Sequence, residues 1–392
     1  MKKYLVVIVM ALAIVIVSCE KTDEFFVTNP DQVEFLTHSE VVIPGQYIVM
    51  LESSNLKSAY KSKAEADRAV ATKAIKISNA ANINLGEPKM VYSQAIEGVV
   101  VNITEKEAKA LKSADGVAGV YADKMVTLKK PGTDPGDAPV QVVPYGITRV
   151  GGTTYNGTNK AWIIDTGIDL DHPDLNVDVA SGATFIARTS SPDDDNGHGS
   201  HCAGIVAAID NEIGVVGVAA GATVVPVKVL DRKGSGAYSA IIAGVDYVAA
   251  NAIPGDAANM SLGGGVYEPI DLAVANLGAQ GIYVALAAGN ESDDSENHSP
   301  ARTEGVNIYT VSAMDSSDYW AYFSNYGEHV DYCAPGVSIL SCYKSGGFAT
   351  MSGTSMAAPH VCGLLLATDG HLSTDGYVAG DPDGNADPIA HM

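Results

Sequence analysis

After a polar stretch at 20–40, hydrophobic positions in the first third of the chain switch between two periods. Tyr47–Leu51, Lys89–Gln94, Gly98–Ile103 and Val117–Leu128 are short and rich in β-branched or aromatic residues, which predicts strands. Residues from about Leu56 to Ala81, and from Glu105 to Ser113, set apolar side chains at helical spacing among charged ones, which predicts two amphipathic helices. The expected order is β-α-β-β-α-β. From Lys129 to Pro144 the periodicity gives way to Pro, Gly and Asp, the composition of an exposed linker and a natural place for proteolytic nicking.

Beyond the linker the pattern changes. Lys160–Ile164, Val224–Val229, Ala258–Met260, Ile282–Leu286 and Ile308–Val311 are continuous apolar runs rather than alternating ones. Helices are predicted at His198–Ile209, Ala237–Ala250, Pro269–Ala279 and Ser355–Thr368. Strands apolar on both faces, alternating with helices, belong to a mostly parallel, doubly wound α/β sheet. That fold is expected over 145–392, preceded by a small ferredoxin-like α+β unit over 44–128.

Composition refines this picture. With 392 residues, 46% hydrophobic and 18% charged, the chain is globular and long enough for two folded units. Its net charge of −22 is concentrated in the second part: residues 1–128 hold 14 Lys and Arg against 15 Asp and Glu, leaving 10 against 31 beyond. So acidic a surface repels a phosphate backbone, which excludes nucleic acid as a partner. Lys2 and Lys3 ahead of the apolar run Leu5–Val17 read as a signal peptide over 1–19, too short for a comfortable transmembrane helix. Ile16-Val17-Ser18-Cys19 resembles a bacterial lipobox. It implies export, a lipid on Cys19, and a precursor anchored to the membrane through a tether at 20–43; an ordinary cleaved signal is the alternative. With Cys19 set aside, Cys202, Cys333, Cys342 and Cys362 allow three full pairings, and export permits disulfides. Cys333–Cys342 is the expected pair, because the short Ala-Pro-Gly segment between them could bring its ends together. Cys202 and Cys362 lie in small-residue helical stretches and read as buried thiols.

Three segments carry chemistry. Trp162-Ile163-Ile164-Asp165 puts a carboxylate at the carboxyl end of a buried strand, where α/β folds build sites, although a lone Asp there is more often a turn residue. Asn196-Gly197-His198-Gly199-Ser200-His201-Cys202 opens a helix, with glycines on both sides of His198 that let backbone or substrate approach. His198, His201 and Cys202 include zinc-ligand types, but no carboxylate or second Cys stands at a metal-binding spacing. Gly353-Thr354-Ser355-Met356-Ala357-Ala358-Pro359 sets a Ser at a helix N-terminus, where free N–H groups and the dipole favour negative charge. Pro359 fits only the first turn, which fixes the helix start near Ser355. Alone, Ser355 reads as an N-cap. Ala357 replaces the second Gly of G-x-S-x-G, and the order Asp, His, Ser is not that of α/β-hydrolases.

Taken together, residues from about Tyr145 to Pro359 resemble the subtilase family of serine peptidases, in particular its proteinase K-like branch. Matching stretches include Val227-Lys228-Val229-Leu230-Asp231, Gly234-Ser235-Gly236, Asn259-Met260-Ser261-Leu262-Gly263-Gly264-Gly265 and Phe323-Ser324-Asn325-Tyr326-Gly327. The 44–128 unit is similar to the family's inhibitory propeptide, with Pro44-Gly45-Gln46-Tyr47-Ile48-Val49 and Thr104-Glu105-Lys106-Glu107-Ala108. The resemblance implies a secreted, self-processing endopeptidase, cut near 128–144 and acting on proteins or peptides through an acyl-enzyme. Ser355 would be the nucleophile, His198 the general base, Asp165 the carboxylate orienting it and Asn290 an oxyanion donor. Ser261, Leu262, Gly263 and Gly264 would pair with substrate as an added strand and, with Ala287, Ala288 and Gly289, wall the pocket for the residue before the cut. Neither segment is charged, so a broad, apolar-leaning specificity is expected.

The resemblance further implies no cofactor for catalysis, a structural calcium at Asp331, the propeptide as intramolecular inhibitor, and a monomer working in the periplasm, at the cell surface or outside. A lipid on Cys19 would tether only the propeptide side, so maturation would release the catalytic domain. The competing reading is a non-catalytic subtilase-fold binding protein, against which the four filled positions speak. Asp381-x-Asp383-x-Asn385-x-Asp387 has EF-hand-like spacing, but Ala386 and Met392 stand where that loop needs Gly and Glu, so a solvated acidic loop is expected. A Gly/Asp-rich tail is expected after the Ser355 helix, in place of the family's usual closing elements.

Overall fold

The computed structural model describes residues 38–53, 60–128 and 140–392. The signal peptide, Cys19, most of the tether and residues 129–139 of the linker lie outside the described residues.

The first unit has the expected element order: strands His38–Leu51, Met90–Tyr92, Gly98–Asn102 and Val117–Leu128, with helices Lys63–Ala80 and Glu105–Lys112. Ser62 starts the first helix by accepting the Glu65 N–H, and Thr104 with Glu107 forms a capping box on the second. Val117–Leu128, His38–Leu51, Gly98–Asn102 and Met90–Tyr92 pair antiparallel in that order. Two features were not expected. The first strand begins well before Tyr47: residues 38–42 pair with 124–128, and a register shift between Val42 and Tyr47 sets them apart from the rest. The sheet also gains a fifth strand from the second unit, Ser235–Ala237, which lies antiparallel to Met125–Thr127.

The second unit is the doubly wound sheet. Its strands run Ser373–Tyr377, Pro388–His391, Tyr332–Pro335, Ile308–Met314, Tyr283–Ala287, Ala257–Met260, Ala161–Asp165, Thr223–Lys228 and Asn176–Val177, and the interior pairs are parallel. Successive side chains of one strand serve opposite faces. Ile163 packs with Met356, Val361 and Leu365 of helix Thr354–Thr368, whereas Trp162 and Ile164 pack with Ile241 and Val274 of helices Tyr238–Asn251 and Glu268–Gly278.

Two expectations are corrected here. Cys333 and Cys342 are both free, buried thiols. Cys333 lies in a main-sheet strand packed with Met314 and Ile389, while Cys342 lies in the hairpin Ile339–Tyr343/Gly347–Met351 and packs in a different cluster. The segment between them connects two separate sheets, so it does not close a loop. The tail is also structured. Ser373–Tyr377 and Pro388–His391 extend the main sheet, with Ile389 opposite Cys333, and Asp387 is buried where it accepts the Ser312 hydroxyl at 2.6 Å.

Candidate active site

Strands Ala161–Asp165, Ala257–Met260 and Tyr283–Ala287 are parallel neighbours, so their carboxyl ends open on one side, the side on which such folds place their sites. Asp165 ends the first of them and is fully buried. The chain then turns sharply through Gly167, at φ +102°, where a Cβ would come within 2.2 Å of Pro192 O. Gly199, in the first turn of helix His198–Ala207, meets this turn so closely that a Cβ would lie 2.0 Å from Gly167 O. That approach brings the imidazole to the carboxylate. His198 Nδ1 lies 2.8 and 2.9 Å from the two Asp165 oxygens, and Asp165 Oδ1 also accepts the Thr166 N–H at 2.6 Å.

Burial works against a charged His198, but the Asp165 carboxylate in contact and the more distant Asp194 outweigh it, so its pKa is raised above the ordinary value of 6.5. The other ring nitrogen, Nε2, is buried and has no hydrogen-bond partner. Asp194, which the sequence reading passed over, organises this corner. Its Oδ1 accepts from Thr166 Oγ1, Asn196 N and Gly197 N at 2.8–2.9 Å, and its Oδ2 from Ser200 N and Oγ at 2.9 and 2.6 Å. It therefore ties the residue after Asp165 to the backbone on both sides of His198. The signal for it was an Asp two residues before the Asn-Gly-His turn.

Ser355 is the second residue of helix Thr354–Thr368, and its Oγ donates to Ser261 O at 3.3 Å. Ser261 Oγ in turn donates to Ser355 O at 2.8 Å. The Cys202 thiol lies 3.4 Å from Ser355 O and 4.0 Å from Asp165 Oδ2, which sets the serine backbone and the carboxylate on two sides of one small side chain. Asn290 follows the end of strand Tyr283–Ala287. Its Oδ1 accepts the Thr354 N–H at 2.8 Å and the Thr354 hydroxyl at 3.1 Å, which fixes the carboxamide at the N-terminus of the Ser355 helix. Gly289, at φ +109°, allows this turn.

Asp165, His198 and Cys202 lie close enough to share an ion. Burial, then the Asp165 charge, push the Cys202 thiol well up, so without an ion it is a neutral thiol. His201 is occupied elsewhere, with Nε2 3.1 and 3.0 Å from Ile339 O and Ala349 O.

A carboxylate holding an imidazole, with a helix-terminal serine across Cys202 from that carboxylate, has the parts of a nucleophilic acyl-transfer site, although Nε2 has no partner and Ser355 Oγ is bonded to Ser261 O instead. Residues 162–368 match the family model described as "Subtilase family", and residues 46–129 match "Peptidase inhibitor I9". The chain belongs to the subtilase family. It is 35% identical over 345 residues to an extracellular serine proteinase of Thermus sp. (strain Rt41A), covering 82% of this chain and 79% of that one. Proteinase R of Parengyodontium album is 37% identical, over 71% of this chain and 72% of its own. The crystal structure of a cold-adapted subtilisin-like serine proteinase superposes with a TM-score of 0.55 at 34% identity, covering 63% of this chain and 97% of that one. The chain is thus a subtilisin-like serine peptidase that carries its own inhibitor module, the organisation of a zymogen.

Within this subtilase, the strand that pairs with the propeptide is Ser235–Ala237, and the helix expected from Ala237 begins at Tyr238. Ser261, Leu262 and Gly263 are buried beside Ser355, while Gly264 and Gly265 pair with His298 and Ser299. Ala287, Ala288 and Gly289 end the neighbouring strand. Asp331 is exposed and accepts the Thr310 N–H at 2.8 Å. The nearby carbonyl of Asn307 is taken by Val284 N, and among the described residues Asp331 joins no group of three or more His, Cys, Asp or Glu near enough to share an ion. Another set of polar side chains meets elsewhere, its oxygens likewise engaged by N–H donors, and it joins no such group either. Asp174 Oδ1 accepts from Asn211 Nδ2 at 2.8 Å and its Oδ2 from Val215 N at 2.9 Å, while Gln141 Oε1 accepts from Asn211 N. Carboxylate and amide oxygens are what calcium takes.

Proposed function

We propose that Ser355, His198, Asp165 and Asn290 hydrolyse peptide bonds as nucleophile, general base, orienting carboxylate and oxyanion donor. The observation that carries this reading is the buried, unpartnered Nε2 of a ring whose Nδ1 is held by Asp165. With Nδ1–H donated to the carboxylate, Nε2 keeps its lone pair. It takes the Ser355 Oγ proton as Oγ bonds to the scissile carbonyl carbon, then returns a proton to the leaving amine; water repeats the cycle on the acyl-enzyme. Asp165 offsets the imidazolium charge, and the oxyanion forms by the N-terminus of helix Thr354–Thr368 within reach of the Asn290 amide. This chemistry takes no cofactor. A phosphonyl fluoride, which reports an activated serine, should label Ser355 in the processed enzyme and fail to label it in His198→Ala. A folded, processed enzyme left unlabelled at Ser355 contradicts the reading.

The specificity follows from what the propeptide leaves in the cleft. Val126 and Leu128, two residues apart and on one face of their strand, are buried in the same cluster as Leu230, Tyr238, Ile241 and Leu262. Two apolar side chains buried at that spacing support a preference for apolar side chains ahead of the cut, taken to fall beyond Leu128. Profiling a peptide library checks this, and selection of charged residues at both positions would sink it. The lipobox-like Cys19 supports an anchored precursor whose catalytic domain, a monomer, is freed by processing. A structural calcium belongs to the same reading, at Asp331 or, on donor chemistry, at Asp174 with Asn211 and Gln141.

A further inference from the structure

The inhibitor-family match begins at residue 46, yet the strand it starts from reaches back to His38. The inhibitor sheet is complete without that extension, since Gln46–Met50 already pair with Gly98–Asn102 and Tyr47–Leu51 with Val117–Ala122. Beyond the register shift, the arm pairs from His38 opposite Leu128 to Val42 opposite Lys124. These partners include the residues that lie against Ser235–Ala237. The segment filling the cleft therefore has a strand on each side, one from the catalytic domain and one from the arm.

Glu40 gives the arm its own hold on the catalytic domain. It stands opposite Val126, whose side chain is buried toward that domain, and cross-strand partners share a face. Its Oε1 accepts the Gly265 N–H at 2.7 Å and the Tyr238 hydroxyl at 2.9 Å, and its Oε2 pairs with Lys124 Nζ at 2.8 Å. The fit is close: a Cβ on Gly264 would come within 2.5 Å of Glu40 Oε1. Tyr238 follows the edge strand Ser235–Ala237, and Gly264–Gly265 continue the segment from Ser261 that is bonded to Ser355. One carboxylate thus bridges the two sides of the cleft. A carboxylate withdrawn from water is tolerated when charge-assisted bonds replace its hydration, and two of these three come from the catalytic domain.

We infer that residues 38–42 are a second inhibitory clamp, and that the Tyr238 hydroxyl and Gly265 N–H form the docking site by which Glu40 keeps the propeptide seated after it is cut. The inference rests on the peptidase reading above. A cut beyond Leu128 leaves the arm covalently part of the propeptide, so dissociation must break these bonds.

The test follows processing of the full chain, reading two rates in one sample. Denaturing gels report the cut, and hydrolysis of a short chromogenic peptide in excess reports release. Glu40→Ala should leave the cutting rate unchanged and bring activity on about ten- to a hundredfold sooner, the worth of hydrogen bonds to a charged group. Glu40→Gln, which keeps an acceptor and loses the ion pair, should fall between. The same lag in wild type, Glu40→Ala and a chain lacking 38–42 overturns the clamp alone. A wild type that yields no fragments overturns the peptidase reading and the clamp with it.

Discussion

The Asp165–His198 contact sets how the enzyme should respond to pH. With His198 as the proposed general base, catalysis needs a neutral Nε2, so kcat/KM should rise as pH passes through the His198 pKa, with a midpoint above 6.5. Asp194 adds to that elevation from behind the imidazole-bearing turn. Asp194→Asn removes a negative charge that stabilises the imidazolium, so the acidic limb should move to lower pH while kcat falls. An unchanged midpoint in a folded variant would reduce Asp194 to a structural role. Asn290→Ala should lower kcat by about 10²–10³ with little change in KM, the cost measured for an oxyanion donor in subtilisin, a member of this family. A drop confined to KM would place Asn290 in substrate binding instead.

At the scale of elements, the sequence reading succeeded where burial left a continuous mark. Ala-Trp-Ile-Ile before Asp165, and the apolar runs at 224, 258, 282 and 308, are strands covered on both faces, and each was found within a few residues of its place. It failed where pairing is non-local. Ser235–Ala237 carries no apolar pattern and becomes a strand only because Met125–Thr127 lies beside it. Residues 38–42 looked like tether because Val41 and Val42 are exposed and their partners lie far along the chain. Cys333 and Cys342 are close in sequence but belong to different sheets, which spacing cannot reveal. Asp174, Asn211 and Gln141 are likewise far apart in sequence and meet only in the fold. If they hold calcium, a chelator should lower the Tm of the wild type, and Asp174→Asn should abolish that effect while Asp331→Asn preserves it. Loss of the effect in Asp331→Asn alone would return the site to Asp331.

At the scale of the whole molecule, charge and inhibition are divided along the chain. The propeptide unit meets an acidic catalytic domain through a few charged contacts. Asp246 accepts the N–H groups of Ser93, Gln94 and Ala95 at 3.1, 2.6 and 2.8 Å while Lys63 pairs with its other oxygen at 2.9 Å, and Asp123 accepts the Ser239 N–H at 3.1 Å. The contacts that assist docking are also those that must break before the enzyme works, so self-cleavage tests the account most directly. The full-length wild type and Ser355→Ala should be expressed in separate cultures, separated on denaturing gels, fractionated, and assayed on a peptide. The wild type should yield two fragments, release its catalytic domain from the membrane and hydrolyse the peptide. Ser355→Ala should stay whole and membrane-bound, with hydrolysis lower by about 10⁶, the loss seen for the same deletion in the related subtilisin. A Ser355→Ala chain that cuts itself and hydrolyses the peptide as the wild type does would contradict the assignment of Ser355 as nucleophile.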